Sequence, residues 1–411
     1  MKRMMVYSHD TYGLGNIRRM LAICEHLLET IPNLTILLIS GSPMIHSFRL
    51  PKRLDYIKLP CLTRTEREGY AVKSIGASLP ETVTLRADLI RHAVAHFQPE
   101  VFLVDKKPYG VEDELRPALT YQQQAHPTSK RVLVLRDILD SPEATCEVWT
   151  KRGYHDAILS LYDEVWVVGS AEIFDLAKEY RFPAAVADKL RYCGYIRRSP
   201  PADQQESVTR EEKHILVTSG GGADGYRLLE AYLMGSSNLP AQTPTRSLVI
   251  CGPEMPAAQR DQLALMAARF PHVQLCEFTD NMLARMSQAD VVVSMAGYNT
   301  ICELLSLQKK AVIVPRARPV EEQWIRASRM AHSGLFQVLH PDQLTPSRLM
   351  DKVTAALSIN SAPFESWYPI DLDALPRIAQ YLEPLLSRRS DRVFNATQRQ
   401  EASIAAAYQG R

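Results

Sequence analysis

The sequence predicts an α/β protein with two doubly wound domains that face each other across a cleft. The first observation is that apolar runs without in-and-out alternation, typical of buried parallel strands, alternate with amphipathic helical patterns. The second is that this alternation begins again after the polar, proline-containing segment 199–212. With 411 residues, of which 46% are hydrophobic, the chain is long enough to build a core in each half.

The first half contains the first set of strands and helices. Helices are predicted at 17–30 and 82–97, where apolar residues recur three and four positions apart. The apolar runs predict strands at 4–8, 34–40, 101–105, 132–136 and 164–169. We assign residues 1–198 to a first Rossmann-like domain and residues 199–213 to a linker.

The second half repeats the pattern. Strands are predicted at 215–218, 248–251, 273–276, 291–294, 312–315 and 336–339, with helices between them. Residues 214–365 are expected to form the second Rossmann-like domain. An amphipathic helix is expected at 366–387, and the charged, Ala/Gln-rich residues 388–411 are expected to form a tail.

Composition narrows the class of protein. The net charge of +2 gives no global attraction to nucleic acid. Seven cysteines, an odd number without a CxxC pair, indicate buried thiols in a reducing compartment. No run of 18 apolar residues is present, so we expect no membrane-spanning segment and a cytoplasmic location. Contact with the inner face of the membrane stays open because of the basic residues described below.

The first of three glycine turns lies at 8–16, directly after the first strand, and contains Gly13 and Gly15. At the carboxyl end of a strand in a doubly wound sheet, such a turn faces ligand. The alternative is a tight turn with only a structural role. A dinucleotide fingerprint would need a third glycine where Arg18 stands, so NAD binding is disfavoured.

The second turn, at 218–225, contains Gly220, Gly221 and Gly222 after the first strand of the second half. Consecutive glycines let backbone N–H groups approach an anion closely. No lysine follows at P-loop spacing, which argues against ATP. The alternative is a flexible loop, but such loops rarely recur at the same topological place in both halves.

The third turn, at 296–300, opens a helix that carries Glu303, and Glu322 and Gln323 follow the next strand. A helix N-terminus suits a diphosphate, a carboxylate one turn later can hold a ribose diol, and an acid/amide pair can hold sugar hydroxyls. Together these are the parts of a nucleotide-sugar site. The alternative is that Asn299 or Thr300 caps the helix and Glu303 is an acid of its first turn.

The segments EFTDNM, QADVVVSMAGYNTICELL, AVIVP and EEQWIRA resemble the C-terminal domain of the MurG-like glycosyltransferases of family 28, which have the GT-B fold. The first turn, in YSHDTYGLGNIRR, resembles the glycine loop of their acceptor domain. The chain is most similar to a bacterial branch of predicted glycosyltransferases in this family.

The resemblance implies a hexosyltransferase that uses a nucleotide-sugar co-substrate, with no cofactor and no metal. It implies that a nucleobase, typically uracil, meets Phe278 and Thr279, and that the diphosphate meets Gly297, Tyr298, Asn299 and Thr300. Glu303 would hold the ribose, and Glu322 and Gln323 the donor sugar. The helix at 366–387 would cross back onto the first domain.

Two residues depart from the family pattern. Asn16 stands where the family has a histidine proposed as the catalytic base, and an amide cannot accept a proton at neutral pH. Glu322 stands where MurG has glutamine, which indicates a different donor sugar or a different hydroxyl pattern. His9 and Asp10 are the nearest candidate bases. The alternative is that His9 ends the strand and Asp10 hydrogen-bonds the turn.

Two further aspartates and a set of basic residues complete the candidates. Asp105 and Asp137 each end a strand and are reserve bases. Seven basic residues could attract a phosphate-bearing lipid carrier or an anionic membrane, or could form a solvated face: Arg18, Arg19, Arg64, Arg67, Lys73, Lys106 and Lys107.

Two other functions remain open at this point. One is a non-hydrolysing UDP-sugar 2-epimerase, which shares the fold and needs no acceptor. The other is a non-catalytic nucleotide-sugar-binding subunit, which the asparagine at position 16 favours. For a transferase, the acceptor would be a small molecule or a lipid-linked sugar, and no nucleic acid is expected.

Overall fold

Two parallel β-sheets, one in each half of the chain, form the framework of the structure. The computed structural model describes residues 1–9, 15–65, 69–199, 212–239, 244–359 and 370–387. Asp10, Gly13, Arg67, most of the predicted linker and the predicted tail therefore lie outside the described residues. The domain boundaries remain a prediction.

The first sheet has seven parallel strands, and a short antiparallel pair, β4 with β5, lies beside it. The elements of this half are β1 (Lys2–Ser8), α1 (Gly15–Thr30), β2 (Leu34–Ser40), β3 (Leu54–Lys58), β4 (Leu62–Arg64), β5 (Tyr70–Val72), α2 (Leu79–Phe97), β6 (Val101–Asp105), α3 (Arg116–Ala125), β7 (Lys130–Arg136), α4 (Pro142–Arg152), α5 (Tyr154–Leu161), β8 (Glu164–Val168), α6 (Leu176–Glu179), α7 (Ala184–Ala187) and β9 (Leu190–Tyr192). The strand order is β3-β2-β1-β6-β7-β8-β9.

The second sheet has six parallel strands in the order β12-β11-β10-β13-β14-β15. Its elements, and the helix that follows them, are β10 (Lys213–Thr218), α8 (Tyr226–Gly235), β11 (Thr245–Ile250), α9 (Ala257–Ala267), β12 (Val273–Cys276), α10 (Met282–Gln288), β13 (Val291–Ser294), α11 (Tyr298–Ser306), β14 (Lys310–Ile313), α12 (Glu322–His332), β15 (Gln337–Val338), α13 (Pro346–Ser358) and α14 (Ala374–Ser387).

In both sheets the strand order reverses beside the first strand. β1 lies between β2 and β6, and β10 lies between β11 and β13. Ligands of open α/β sheets bind where the order reverses, at the carboxyl ends of the strands. The turns that follow β1, β10 and β13 all begin at these ends, so the topology places the start of each glycine turn at the edge where ligands bind.

The last helix joins the first domain. α14 packs against α1 and buries Ala374, Ile378, Leu382 and Leu386, which recur every four residues along one face. One apolar core includes these residues, the inner face of α1, and residues of the second sheet and of α11. The crossing back onto the first domain is therefore present in the structure.

The predicted start of this last helix was wrong. It begins at Ala374 and not at position 366. Residues just before it are extended, because Asp373 pairs with Ile196 in an isolated β-bridge and the N–H of Tyr195 donates to the carbonyl of Asp371 at 2.8 Å.

In the part of the chain that the structure describes, no helix has both the length and the apolar character needed to cross a bilayer. All seven cysteines carry free thiols.

Candidate functional site

The turn after β13 presents an uncapped helix N-terminus. Gly297 is the N-cap of α11, and no side chain caps it, so neither Asn299 nor Thr300 plays the capping role considered above. A Cβ added at Gly297 would meet nothing closer than the Thr300 hydroxyl, at 3.9 Å. The backbone N–H groups of the first turn are thus free to bind an anion.

Two side chains of α11 contact the opposite domain. The Asn299 amide donates from Nδ2 to the carbonyl of Gly15 at 3.0 Å, which ties the third turn to the start of α1. Glu303 is buried, and its Oε1 accepts a hydrogen bond from the guanidinium of Arg18 at 2.9 Å. The carboxylate expected to hold a ribose therefore holds a cation of the first domain in this structure.

Tyr298 does not face open space. It is buried and stacks on Tyr195 of the first domain, with ring centroids 6.1 Å apart. The guanidinium carbons of Arg19 and Arg326 lie 5.7 and 5.8 Å from its ring centroid. The side chain of Tyr298 thus packs between the domains, so only its backbone N–H is suited to the predicted diphosphate contact.

The three glycines of the second turn have different surroundings. Gly222 has φ of +99°, and a Cβ there would lie 2.5 Å from the carbonyl oxygen of Cys251. At Gly221 a Cβ would meet only the Glu254 carboxylate, at 3.1 Å, and at Gly220 it would meet nothing within 4 Å. Gly222 is therefore required by the fold. The N–H of Gly220 donates to the Thr218 hydroxyl at 3.2 Å, and the carbonyl of Gly221 accepts from the N–H of Glu254 at 2.8 Å. Among the described residues the N–H of Gly221 has no partner, so it is the group of this pair that can bind a ligand.

A pocket lies at the carboxyl ends of β11 and β12. Phe278 and Thr279, the residues expected to meet the nucleobase, form one side of it. Phe278 is 52% exposed, which is unusual for so large an apolar side chain. The remaining lining residues are Leu248, Ile250, Gln274, Cys276, Asp280 and Arg285.

Glu322 and Gln323 start α12 and are buried. The Arg136 guanidinium lies 2.6 Å from Glu322 Oε2, and those of Arg316 and Arg326 lie 3.7 Å from the same carboxylate. Burial alone would raise the pKa of Glu322, but Arg136, Arg326 and Arg316 lower it to about 2. Gln323 Oε1 accepts from the backbone N–H of Arg316 at 3.1 Å. Both side chains thus have protein partners.

His9 is fully buried at the end of β1. Its backbone N–H donates to Asp105 Oδ2 at 3.3 Å, and neither ring nitrogen has a partner among the described residues. Burial, reinforced by the charges of Lys106 and Lys107, holds its pKa well below the usual range. His9 is therefore neutral near pH 7, with a free lone pair on its ring.

Asn16, at the position of the family's proposed base, braces the start of α1. Its Nδ2 donates to the carbonyl of His9 at 2.5 Å, and its Oδ1 accepts from Arg19 at 3.3 Å. Arg19 in turn donates to Asp105 at 2.6 Å. The asparagine therefore links the end of β1 to a buried ion pair, which accounts for an amide at this position.

The two reserve bases both have arginine partners in the structure. Asp105 pairs with the buried Arg19. Asp137 accepts two hydrogen bonds from Arg326 of the second domain, both at 2.7 Å, and a third from the Tyr195 hydroxyl at 3.1 Å. Both carboxylates thus hold a buried guanidinium, and Asp137 joins the first domain to the second.

Sequence reasoning missed the arginines that hold the two domains together at the site. Arg326 also donates to the carbonyl of Ala296 at 2.8 Å, so one side chain joins the third turn to Asp137. The available signals were its position four residues after Glu322 and the position of Arg136 at the end of a predicted strand.

The predicted basic surface is only partly present. Arg19 is buried in its ion pair and cannot belong to it. Arg64 and Lys73 are exposed, and Lys106 and Lys107 are partly buried. Within the described ranges, no group of three or more His, Cys, Asp or Glu residues is arranged to hold a metal ion.

Comparison with known proteins gives a family match for the second half. Residues 214–367 match the glycosyltransferase family 28 C-terminal domain. The UDP-N-acetylglucosamine–N-acetylmuramyl-(pentapeptide) pyrophosphoryl-undecaprenol N-acetylglucosamine transferase of Pasteurella multocida is 27% identical over 157 residues, which cover 38% of this chain and 42% of the relative. The enzyme of the same description from Clostridium kluyveri is 34% identical over 90 residues, 21% of this chain and 26% of the relative. The chain thus matches less than half the length of these curated relatives.

Solved structures extend the likeness to both domains. MurG of Acinetobacter baumannii aligns with a TM-score of 0.61 over 94% of this chain and 100% of its own, at 14% identity. The glycotransferase of kitacinnamycin gives the same TM-score of 0.61 at 16% identity, over 94% of this chain and 99% of its own. UDP-GlcNAc 2-epimerase of Neisseria meningitidis aligns with a TM-score of 0.56 at 13% identity, over 94% and 100%. At these identities the likeness establishes the fold.

Proposed function

Since residues 214–367 form a family 28 glycosyltransferase domain within a MurG-like GT-B fold, we propose that this chain transfers a sugar from a nucleotide-diphosphate sugar to an acceptor. One observation carries the proposal. An uncapped helix N-terminus, a buried carboxylate one turn later and an open pocket beside Phe278 lie along the cleft edge of one parallel sheet. These features match the diphosphate, the ribose and the base of a nucleotide.

We propose a UDP-sugar as the donor. The names of the relatives that match the same domain support uridine, because they describe transfer from UDP-N-acetylglucosamine. The base would enter the pocket of Phe278 and Thr279, and the diphosphate would meet the N–H groups after Gly297 and the N–H of Gly221. Because Glu303 bonds Arg18 in this structure, a ribose would have to displace that guanidinium.

Glu322 and Gln323 would contact the donor sugar through the hydrogen-bonding positions that remain free beside their protein partners. A carboxylate with a pKa of about 2 stays ionised at neutral pH and acts as a hydrogen-bond acceptor. Glu322 would therefore accept from sugar hydroxyls and could not donate to a carbonyl oxygen, unlike the glutamine of MurG. This difference favours a donor with a hydroxyl at that position.

In the transfer step, the acceptor oxygen forms a bond to the anomeric carbon while the bond from that carbon to the diphosphate breaks. The electron pair leaves with the nucleoside diphosphate, which the oriented N–H groups of α11 would stabilise. The acceptor proton must pass to a base or to solvent. We propose His9, neutral and unpartnered, as the base, with Asp10 as the alternative carboxylate.

The acceptor would approach from the first domain, beside α1 and the loop after β6. Lipid-linked acceptors are named for the curated relatives, whose description includes a pyrophosphoryl-undecaprenol group. We propose a lipid-linked or small-molecule acceptor for this chain, with Gly15 and Arg18 near its binding face.

A 2-epimerase is the second candidate, because epimerases are also among the structural neighbours. The two functions differ in their need for an acceptor. An epimerase would convert UDP-GlcNAc into its 2-epimer with no second substrate. The absence of epimer after prolonged incubation, together with UDP release when acceptor is added, would favour transfer.

A thermal-shift screen of the full chain tests the donor proposal. UDP and at least one UDP-sugar should raise the melting temperature, since a ligand at 100 times its Kd adds about 2.7 kcal/mol to stability. GDP and dTDP sugars serve as matched controls for the base. If no uridine nucleotide stabilises the folded chain, the donor proposal is wrong. Binding without slow UDP release from any donor would instead indicate a non-catalytic nucleotide-sugar-binding subunit.

A further inference from the structure

Five basic residues surround the cleft between the two sheets. We define the cleft cations as five basic residues that act electrostatically on one another or on Glu322: Arg64, Lys106, Lys107, Arg136 and Arg316. Arg326 is left out because it pairs with Asp137. Arg136 and Arg316 contact Glu322, and Arg316 also pairs with Asp224 at 3.1 Å. Among the residues that the structure describes, no other carboxylate pairs with these side chains. Five basic side chains therefore share two carboxylates, which leaves a surplus of three positive charges when Lys106 is protonated.

The surplus is concentrated at Lys106. Its side chain is partly buried and has neither a hydrogen bond nor an ion pair within the described ranges. Four charged residues act electrostatically on its amine. They are Arg136 at the end of β7, Arg64 at the end of β4, the neighbouring Lys107, and Glu322 at the start of α12. Like charges in a partly dry cleft repel, so this arrangement is unfavourable unless an anion joins it.

The backbone of Lys106 is strained as well. Its φ is +74°, which a residue with a Cβ rarely adopts. The residue follows β6 directly, at the carboxyl edge of the first sheet beside the end of β1. Strained backbone is retained where it positions a functional group. Here it places a lysine at the point where ligands of such sheets bind.

Unpartnered nitrogens surround the same region. The Nε atoms of Arg136 and Arg316 are buried without a hydrogen-bond partner in the described part of the chain, as are both ring nitrogens of His9. The charges of Lys106, Lys107 and Arg64 all act on His9. Buried donors without partners are rare, because each costs about as much as a lost hydrogen bond. A ligand with several acceptor oxygens would satisfy the two arginine N–H groups and the single N–H of a neutral His9 ring.

We propose that the cleft cations form a binding subsite for a phosphate-bearing group, built jointly by the two domains and additional to the glycine turns. A phosphate or diphosphate supplies both the negative charge and the acceptor oxygens that the cluster lacks. The group could belong to the donor or to a phosphorylated acceptor. The subsite rests on the proposed function only for its place in the reaction, and its binding is testable alone.

The proton balance of binding gives a specific signature. Burial and the neighbouring cations Arg136 and Arg64 lower the pKa of Lys106 to about 7. At pH 8 most of the free protein therefore holds Lys106 uncharged. An anion beside the amine raises its pKa again, so binding at pH 8 should take up about one proton, and binding at pH 6 almost none.

The experiment is calorimetry of the full chain with inorganic pyrophosphate, in two buffers of different ionisation enthalpy. Wild type should bind and take up a proton at pH 8. Lys106→Met should bind at least about tenfold more weakly, since a charge-assisted contact is lost, and should take up about one proton fewer than wild type. Lys107→Met should also bind more weakly. Lys52→Met, an exposed lysine of the same domain, should match wild type.

The same titration in saturating UDP identifies the source of the phosphate. If pyrophosphate still binds, the subsite serves the acceptor, and if UDP excludes it, the subsite serves the donor's diphosphate. Equal pyrophosphate affinity of wild type, Lys106→Met and Lys107→Met, each with an unchanged melting temperature, would overturn the proposal. No binding by wild type would do the same. UDP stabilisation that persists in either case would leave the donor proposal intact.

Discussion

The carboxylate of Glu303 has two competing partners, the ribose of the proposed donor and the guanidinium of Arg18, 2.9 Å away. Glu303→Ala should lower UDP affinity by a few kcal/mol at most, the value of a charge-assisted hydrogen-bond pair. Arg18→Ala is the matched control, because it frees the carboxylate and should leave UDP affinity equal or higher. Calorimetry on both variants measures this. Unchanged affinity in a folded Glu303→Ala protein would make Glu303 only an interdomain ion-pair residue.

The ring of His9 is the second residue-scale feature with a measurable consequence. If it is the base, His9→Ala should lower turnover about 10²–10⁴-fold while donor affinity stays near wild type. Because its pKa lies well below the usual range, activity of wild type should hold as pH falls through 6.5. A fully active His9→Ala alongside an inactive Asp10→Ala would assign the proton to the carboxylate.

Glu322 should make stability depend on pH in acid. Its folded-state pKa of about 2 lies below the ordinary value of 4.5, so its stabilising effect is complete above about pH 5 and is lost as pH falls from 4.5 toward 2. The difference in unfolding free energy between wild type and Glu322→Gln should therefore shrink across this range, by on the order of 3 kcal/mol. Urea unfolding at a series of pH values measures the difference. A constant difference down to pH 2.5 would contradict the low pKa.

At the scale of elements, two neighbouring glycines of the second turn have different roles: Gly222 is needed for the fold, and Gly221 is proposed to bind the donor. Gly222→Ala should destabilise the protein, since the positive φ alone costs about 1–2 kcal/mol and the Cβ would collide with the carbonyl of Cys251. Gly221→Ala should keep the melting temperature and weaken UDP binding. The two variants differ in position by one residue, so each controls for the other. A stable Gly221→Ala that binds UDP normally would remove this turn from the donor site.

The buried strands were predicted closely because their apolar runs are continuous. Residues 34–40, 101–105, 273–276 and 291–294 form strands with the predicted ends. The strands that were missed lie at a sheet edge or in the hairpin, where mixed or short sequences carry little signal: Leu54–Lys58, Leu62–Arg64, Tyr70–Val72 and Leu190–Tyr192. The start of the last helix was missed because a β-bridge to Ile196 depends on tertiary contact.

The positions of the site residues were predictable, but their partners were not. Glycine turns at strand ends follow from local sequence and from the topology of parallel sheets. The contact of Arg18 with Glu303 joins residues 285 apart, and that of Arg326 with Asp137 joins residues 189 apart. Such pairs depend on how the domains dock, which no local pattern encodes. The same limit explains why the pairing of Asp137 with Arg326 was not predicted.

At the scale of the whole molecule, the pair of Arg326 and Asp137 joins the two domains with no exposure to solvent. Arg326→Met and Asp137→Asn should each cost about 3–5 kcal/mol, because each leaves a buried group without its partner. The double variant should cost clearly less than the sum. Urea unfolding of all three tests this. Arg197→Ala, which breaks an exposed pair with Asp373, is the control and should cost less than about 1 kcal/mol. Strictly additive costs would mean that the buried pair is not coupled.

The packing of α14 on α1 has a consequence for synthesis on the ribosome. The inner face of α1 is translated with the first 30 residues, but the helix that covers it is encoded at 374–387. At roughly 5–20 residues per second, tens of seconds pass between the two. During that interval we expect the face of α1 against which α14 packs to stay uncovered by that helix and to offer chaperones an apolar binding site.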